Sequence, residues 1–338
     1  MGATEALASF AIGMESASFP PVVVREARRH IIDCIGAALA GFTDPCARII
    51  TTVARSYGGQ PESTLWGDGS RVSAHNAALA NGTIAHAVDY DDTNYAMPGH
   101  ATVAVLPAVL AVGERLGVSG AEALAAYVAG VEVESKLGML TGQDSWDFGW
   151  HTTSTLGVIG ATAAVGRLLG LDARSMRHAL GIAVSQASGV RQNFGSMTKP
   201  LHVGHASWSA ILAADLAQRG FTASERAIEG EVGYCKVFGG VREREDDTTA
   251  QALGRPFEFE TSRKDGSVRR ASNSVRKGDA IVDPLSDGEL EAKFLDCAAV
   301  ALGHVQARQL LDLLGEFERL KNVRSLTERL VANAGQRL

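Results

Sequence analysis

Apolar residues recur at three- and four-residue steps along most of the chain. Between Val24 and Gly41, the residues Val24, Ala27, Ile31, Cys34, Ile35 and Ala38 share one stripe, while Arg25, Arg28 and Arg29 fall off it. That is the spacing of a helix with one buried face. The same period marks Ser73–His86, Val103–Leu116, Gly120–Leu137, Thr153–Leu169, Ser175–Ser188 and Gly204–Gln218, mostly separated by glycine-bearing breaks, so about seven helices are predicted before residue 220. The run from Gly157 to Gly166 is small or apolar on every face, which places it in the middle of a bundle.

After Gly239 the texture changes. Residues 241–251 are dense in charge, the composition of a solvated helix or loop. Phe257–Ser262 and Ser267–Ser272 alternate about Lys264-Asp-Gly266, which predicts a short β-hairpin. Ser286 or Asp287 can cap a helix over Glu289–Leu302, and an amphipathic pattern follows from Val305 to Leu320. The fold class predicted is mainly α.

Composition narrows the function. The 338 residues can bury a large core, and with aromatic residues at 6% that core must be aliphatic and small, which favours close helix contacts. With 32 basic and 38 acidic residues the net charge is −6, so no overall field draws in nucleic acid or an anionic membrane. No apolar run approaches the ~20 residues that span a bilayer. Cys34, Cys46, Cys235 and Cys297 are far apart and form no C-x-x-C pair, a pattern that suits a reducing cytoplasm. Phosphate-binding loops, the dinucleotide fingerprint and the serine-hydrolase elbow are absent from the sequence, so no cofactor is expected.

Three stretches concentrate polar residues in apolar surroundings. In the first, 86–102, Asp89, Asp91, Asp92 and His100 set carboxylates beside an imidazole, an arrangement that raises the pKa of the histidine and suits proton transfer; helix capping by Asp91, Asp92 or Thr93 is the plainer alternative. In the second, 146–153, His151 precedes a long helix, whose dipole would disfavour its protonation and leave a neutral base. In the third, 191–205, Lys199 can pair with a substrate carboxylate, and His202 and His205 stand three apart, a metal-ligand spacing with no clear third ligand. No metal site is therefore expected.

At these stretches the sequence resembles the MmgE/PrpD family, through Asn81–Thr93, Gly149–Thr153 and Gly195–His202, with weaker likeness at Lys264–Gly266 and Pro284–Phe294. The resemblance implies a large all-helical domain, a cofactor-free site facing a smaller α/β domain, a homodimer, and work on small polycarboxylates by dehydration, decarboxylation or epimerisation. It divides the chain into an all-helical catalytic domain, 1–255, and a shortened remnant of the second domain with C-terminal helices that pack back, 256–338. His151, Lys199, His100 and Asp89 are the implied catalytic residues, with Thr93, Asp92, Arg191 and His202 around the substrate. A lyase of the dehydratase type on a small carboxylate or carbonyl compound is the first expectation. An isomerase or decarboxylase using the same groups, a non-catalytic binding protein, and a metal-dependent hydrolase built on His202, His205 and the aspartates are the alternatives.

Overall fold

The computed structural model describes residues 2–14, 19–240, 252–261 and 285–333. In chain order its helices are α1 (Ala3–Gly13), α2 (Pro21–Gly41), α3 (Pro45–Ser56), α4 (Ala74–Ala85), α5 (Thr102–Leu116), α6 (Gly120–Asp147), α7 (Thr152–Thr155), α8 (Gly157–Leu168), α9 (Ala173–Gln186), α10 (Thr198–Gln218), α11 (Tyr234–Gly239), α12 (Glu258–Thr261), α13 (Asp287–Leu302), α14 (His304–Gly315) and α15 (Arg324–Thr327). The expectation of a mainly α fold holds. Among the described residues the strands are β1 (Ser63–Thr64) and β2 (Arg71–Val72), antiparallel, with Ser63 opposite Val72 and Thr64 opposite Arg71.

Each predicted helix is present, and the ends are where pattern and structure part. The segment predicted as Gly120–Leu137 continues to Asp147, and α10 starts at Thr198 rather than Gly204. The Thr153–Leu169 segment breaks at Leu156 into α7 and α8. Helices α1 and α3 were not anticipated, although Asp44 accepts a hydrogen bond from the Cys46 amide ahead of Pro45, a usual way to start a helix.

Small residues decide how closely the core helices approach. On α10, a methyl group at Gly204 would lie 2.1 Å from the Leu79 carbonyl oxygen, and one at Gly82 on α4 would lie 3.0 Å from Gly204 Cα. Gly130 on α6 and Gly160 on α8 face one another in the same way, each Cβ falling 2.7 Å from the other's carbonyl oxygen. Contacts this close leave no void, and they hold the helix ends at a defined separation.

The predicted hairpin is corrected in its first arm. Glu258–Thr261 is the helical turn α12, and Phe257 and Phe259 are both buried. The Glu132 carboxylate on α6 accepts from the amides of Gly254 and Glu258, both at 2.8 Å, and Lys136 donates to Glu258 at 2.6 Å. Those bonds satisfy the backbone as a cap would, so no strand partner is needed. The second arm, with Lys264-Asp-Gly266, and the charged stretch 241–251 lie outside the described residues.

Ser286 caps α13 through a capping box with Glu289, as the sequence pattern anticipates. This helix packs on α2, where Phe294 fills the space beside Gly36 and Asp287 pairs with Arg25 and Arg29. Among the described residues, no helix is long and apolar enough to cross a membrane.

Candidate active site

The α4–α10 contact sets the site. His86 follows the last residue of α4, and Lys199 and His202, three apart and so on one face, lie in the first turns of α10. Between α4 and α5 the chain makes a loop, 86–101, pinned by the Asn94–Gly99 bridge and by Gly99, which packs against Thr153 too closely to admit a side chain. The amide of His100 donates to Thr153 Oγ1 at 3.1 Å, tying the loop to α7. Asp89 takes φ +53°, a left-handed conformation that costs a residue with a Cβ about 1–2 kcal/mol.

Imidazoles and carboxylates interleave here. His86, 1% exposed, places Nδ1 2.9 Å from Asp91 Oδ1, while its Nε2 has no hydrogen-bond partner among the described residues. His100 sets Nδ1 3.1 Å from Asp91 Oδ2 and Nε2 3.5 Å from Asp89 Oδ1. Lys199 donates to the same Asp89 oxygen. The ring of His151 lies 6.0 Å from that of His86, and its Nδ1 is 3.1 Å from Nδ1 of His202, one nitrogen donating and the other accepting.

Identical side chains thus sit in opposite electrostatic settings. Burial works against a charge on His100, but Asp91 and then Asp89 outweigh it and lift its pKa to about 9. For His151 burial comes first, and the neighbouring His86, His202 and Lys199 add to it, pushing it down to about 2. The expectation of a neutral His151 agrees with this direction, with a different cause: the helix it begins is only the four-residue α7. Burial would raise Asp91, but His86 and His100 hold it well below the usual carboxylate range. At neutral pH the crevice holds a protonated His100 and an uncharged His151.

His86, Asp89, Asp91 and His100 each offer a ligand atom, all within 4.8 Å of one another, close enough to surround a metal ion. The pairing favours a proton instead. Both nitrogens of His100 face carboxylates, the setting of an imidazolium, and the Lys199 ammonium occupies the Asp89 oxygen that an ion would need. The His202–His205 pair does not form a clasp, because His205 turns to Ser188 Oγ at 3.5 Å and stacks on Trp208.

Of the residues singled out from the sequence, Asp89, His100, His151, Lys199 and His202 converge. Asp92 turns to the scaffold: its Oδ2 is 3.0 Å from Nδ1 of His30 on α2, which anchors the loop. Thr93 is exposed on the loop. Arg191 stacks 3.7 Å over the Trp146 ring and donates to the Trp146 carbonyl at 3.0 Å. Its Nε stays without a partner among the described residues. On the other side, Lys199 lies 5.1 Å from the Phe194 ring, whose edge meets His151. The sequence reading left His86 and Asp91 out of its site residues, although it set Asp91 beside His100 with capping as the alternative; the signal for both was an imidazole at the end of an apolar helix with a carboxylate five residues on.

Such a cluster on a helical frame is a candidate acid–base site, with charge divided among groups from three distant segments. The family model of the MmgE/PrpD N-terminal domain matches residues 5–246, and the chain belongs to the MmgE/PrpD family. It is similar to human cis-aconitate decarboxylase, with 33% identity over 238 residues that cover 68% of this chain and 49% of that protein. The Mus musculus cis-aconitate decarboxylase is 31% identical over 68% of this chain and 48% of its own length. For the cis-aconitate decarboxylase of Aspergillus terreus the figures are 30%, 70% and 50%. The chain spans about half the length of these curated relatives.

Proposed function

We propose that this chain carries the acid–base machinery of a cofactor-independent lyase acting on a small carboxylic acid. The observation that carries the reading is the convergence of Asp89, His100, His151 and Lys199 in one crevice, with the two imidazoles in opposite charge states.

The chemistry follows from those charges. Lys199, and the guanidinium of the half-buried Arg191, attract a carboxylate. When the bond from carbon to a departing carboxylate breaks, carbon dioxide leaves and the electron pair stays on carbon, delocalised into an adjacent double bond. His100, already protonated, delivers a proton to the carbon skeleton, and Lys199 offsets the negative charge while it lasts. Dehydration needs the same parts in a different order, with His151 taking a proton from carbon and His100 protonating the departing hydroxyl. The relatives named as cis-aconitate decarboxylases favour the first course over the second.

The test is an NMR assay of the protein with cis-aconitate in deuterated water. Release of carbon dioxide with one deuterium on the product carbon is expected, as is a loss of about 10²- to 10⁴-fold in turnover for Lys199→Ala and His100→Ala, each confirmed folded. Full turnover in both variants would overturn the assignment of roles. Absence of both carbon dioxide release and deuterium uptake with cis-aconitate and every related small polycarboxylate would overturn the activity itself.

A further inference from the structure

Tyr90 lies between Asp89 and Asp91, the two carboxylates that hold His100. Its ring is half exposed and belongs to no apolar cluster, yet its backbone is firmly held. Lys293, on α13, donates from Nζ to the Tyr90 carbonyl oxygen at 2.7 Å and to Asp33 Oδ1 on α2 at 2.6 Å. The same ammonium lies 4.0 Å from the centre of the Tyr90 ring. Asp33 and the Lys293 side chain are both largely buried, at 10% and 15% exposure, so their ion pair is partly sheltered from competing water, while the bond to the Tyr90 carbonyl lies nearer the surface. Two residues on, Asp92 takes its own anchor from His30 of α2. The loop is thus gripped on either side of Asp91, while Asp89 is held in a left-handed conformation.

We infer that Lys293 is a positioning residue for the crevice: by joining Asp33 to the Tyr90 carbonyl and covering the Tyr90 ring, it fixes the backbone that aims Asp89 and Asp91 at His100. Lys293 touches none of the proton-handling side chains and acts only through the loop. The inference deepens the acid–base reading above and, for its effect on turnover, rests on it. It also gives α13, far along the chain from the three motif stretches, a direct hold on the site.

The experiment compares the full chain with Lys293→Met, which keeps the aliphatic stem, and Lys293→Arg, which can still reach Asp33 and the carbonyl and stack on Tyr90. Amide hydrogen exchange is read at Asp89 and Asn94, whose amides donate to His86 and Gly99 within the loop. In Lys293→Met the protection of these two amides is expected to fall at least tenfold relative to those of α8, with kcat down by a similar factor and KM unchanged, and Lys293→Arg is expected to restore most of both. If Lys293→Met leaves Asp33 too poorly matched to fold, the double variant Asp33→Asn/Lys293→Met removes the stranded carboxylate and carries the same expectation. Unchanged loop protection, or a loss spread evenly over α8, would overturn the inference. If the unmodified protein turns over no carboxylic acid while its loop still loosens on Lys293→Met, the positioning role stands and the lyase reading falls.

Discussion

The seam between α4 and α10 and the crevice at its end use opposite materials within about one helical turn. Along the seam, Gly82 and Gly204 carry no side chain and the backbones touch. At its end, His86, Lys199 and His202 are large, polar and crowded against Asp89, His100 and His151. A crevice of that kind opposes its own assembly, since imidazoles are desolvated and one carboxylate is strained into a left-handed turn. Glycine contacts supply the rigidity that keeps the polar groups from relaxing apart. Stability resides in one region and chemistry in the other, and substitutions should separate them.

The largest effect is expected in the seam. Gly204→Ala sets a methyl group 2.1 Å from the Leu79 carbonyl and 3.0 Å from the Thr83 amide, backbone atoms that cannot rotate away. Overpacking of this kind costs about 3 kcal/mol, which lowers Tm by about 4 °C in a protein of this size. Gly288→Ala on α13, where nothing lies within 4 Å, is the control and should hold or slightly raise Tm. Equal melting of the two variants would break the division of labour.

Next comes pH, to which the crevice responds through His100 and His151. His100 titrates near 9 in the folded protein and near 6.5 when unfolded, so the folded state binds the extra proton between those values. The stabilisation is fully present below about pH 6.5, about 3 kcal/mol, and is lost as pH rises through 9. His151 works in the other direction: its depressed pKa means that the unfolded state takes up protons first as pH falls below 6.5, which destabilises the fold on the acid side. Denaturant melts across pH 5–10 should therefore decline on both sides of about 6.5, and His100→Gln should flatten the alkaline side. An alkaline slope unchanged in that variant would show that His100 is not the group responsible.

The seam was far more legible in the sequence than the crevice. Period and small-residue content are local, and they placed α8 and the middle of α10 correctly. The start of α10 was hidden because Lys199, Pro200 and His202 interrupt the apolar pattern there, and those residues are what the crevice requires. Phe257 and Phe259 alternate with glutamates as a strand would, but Glu132 and Lys136, more than a hundred residues earlier, turn that stretch into a helix. Within the crevice, residue types pointed to Asp89, His100, His151 and Lys199, while the direction of each side chain stayed out of reach. Asp91 and Asp92 are neighbours in sequence, yet one faces two histidines of the crevice and the other faces α2. That choice depends on the left-handed turn at Asp89 and on the Lys293 contact, neither of which has a local signature.

The smallest effect tests where crevice gives way to scaffold, at Arg191. Its guanidinium is stacked on Trp146 and one Nη is spent on a backbone carbonyl, so most of the group is structural. Nε is buried, so the second Nη is the donor left to meet a carboxylate. Arg191→Lys keeps the positive charge but loses the flat face and the fixed second donor, so stacking worth about 0.5–1 kcal/mol should be lost from stability. The same variant should raise KM for a carboxylate substrate about threefold with kcat unchanged, because the proton-handling groups do not move. A fall in kcat with constant KM would put Arg191 among the groups that stabilise the reacting charge. A loss of stability with both constants unaltered would make it part of the scaffold and leave Lys199 as the cation that receives the substrate.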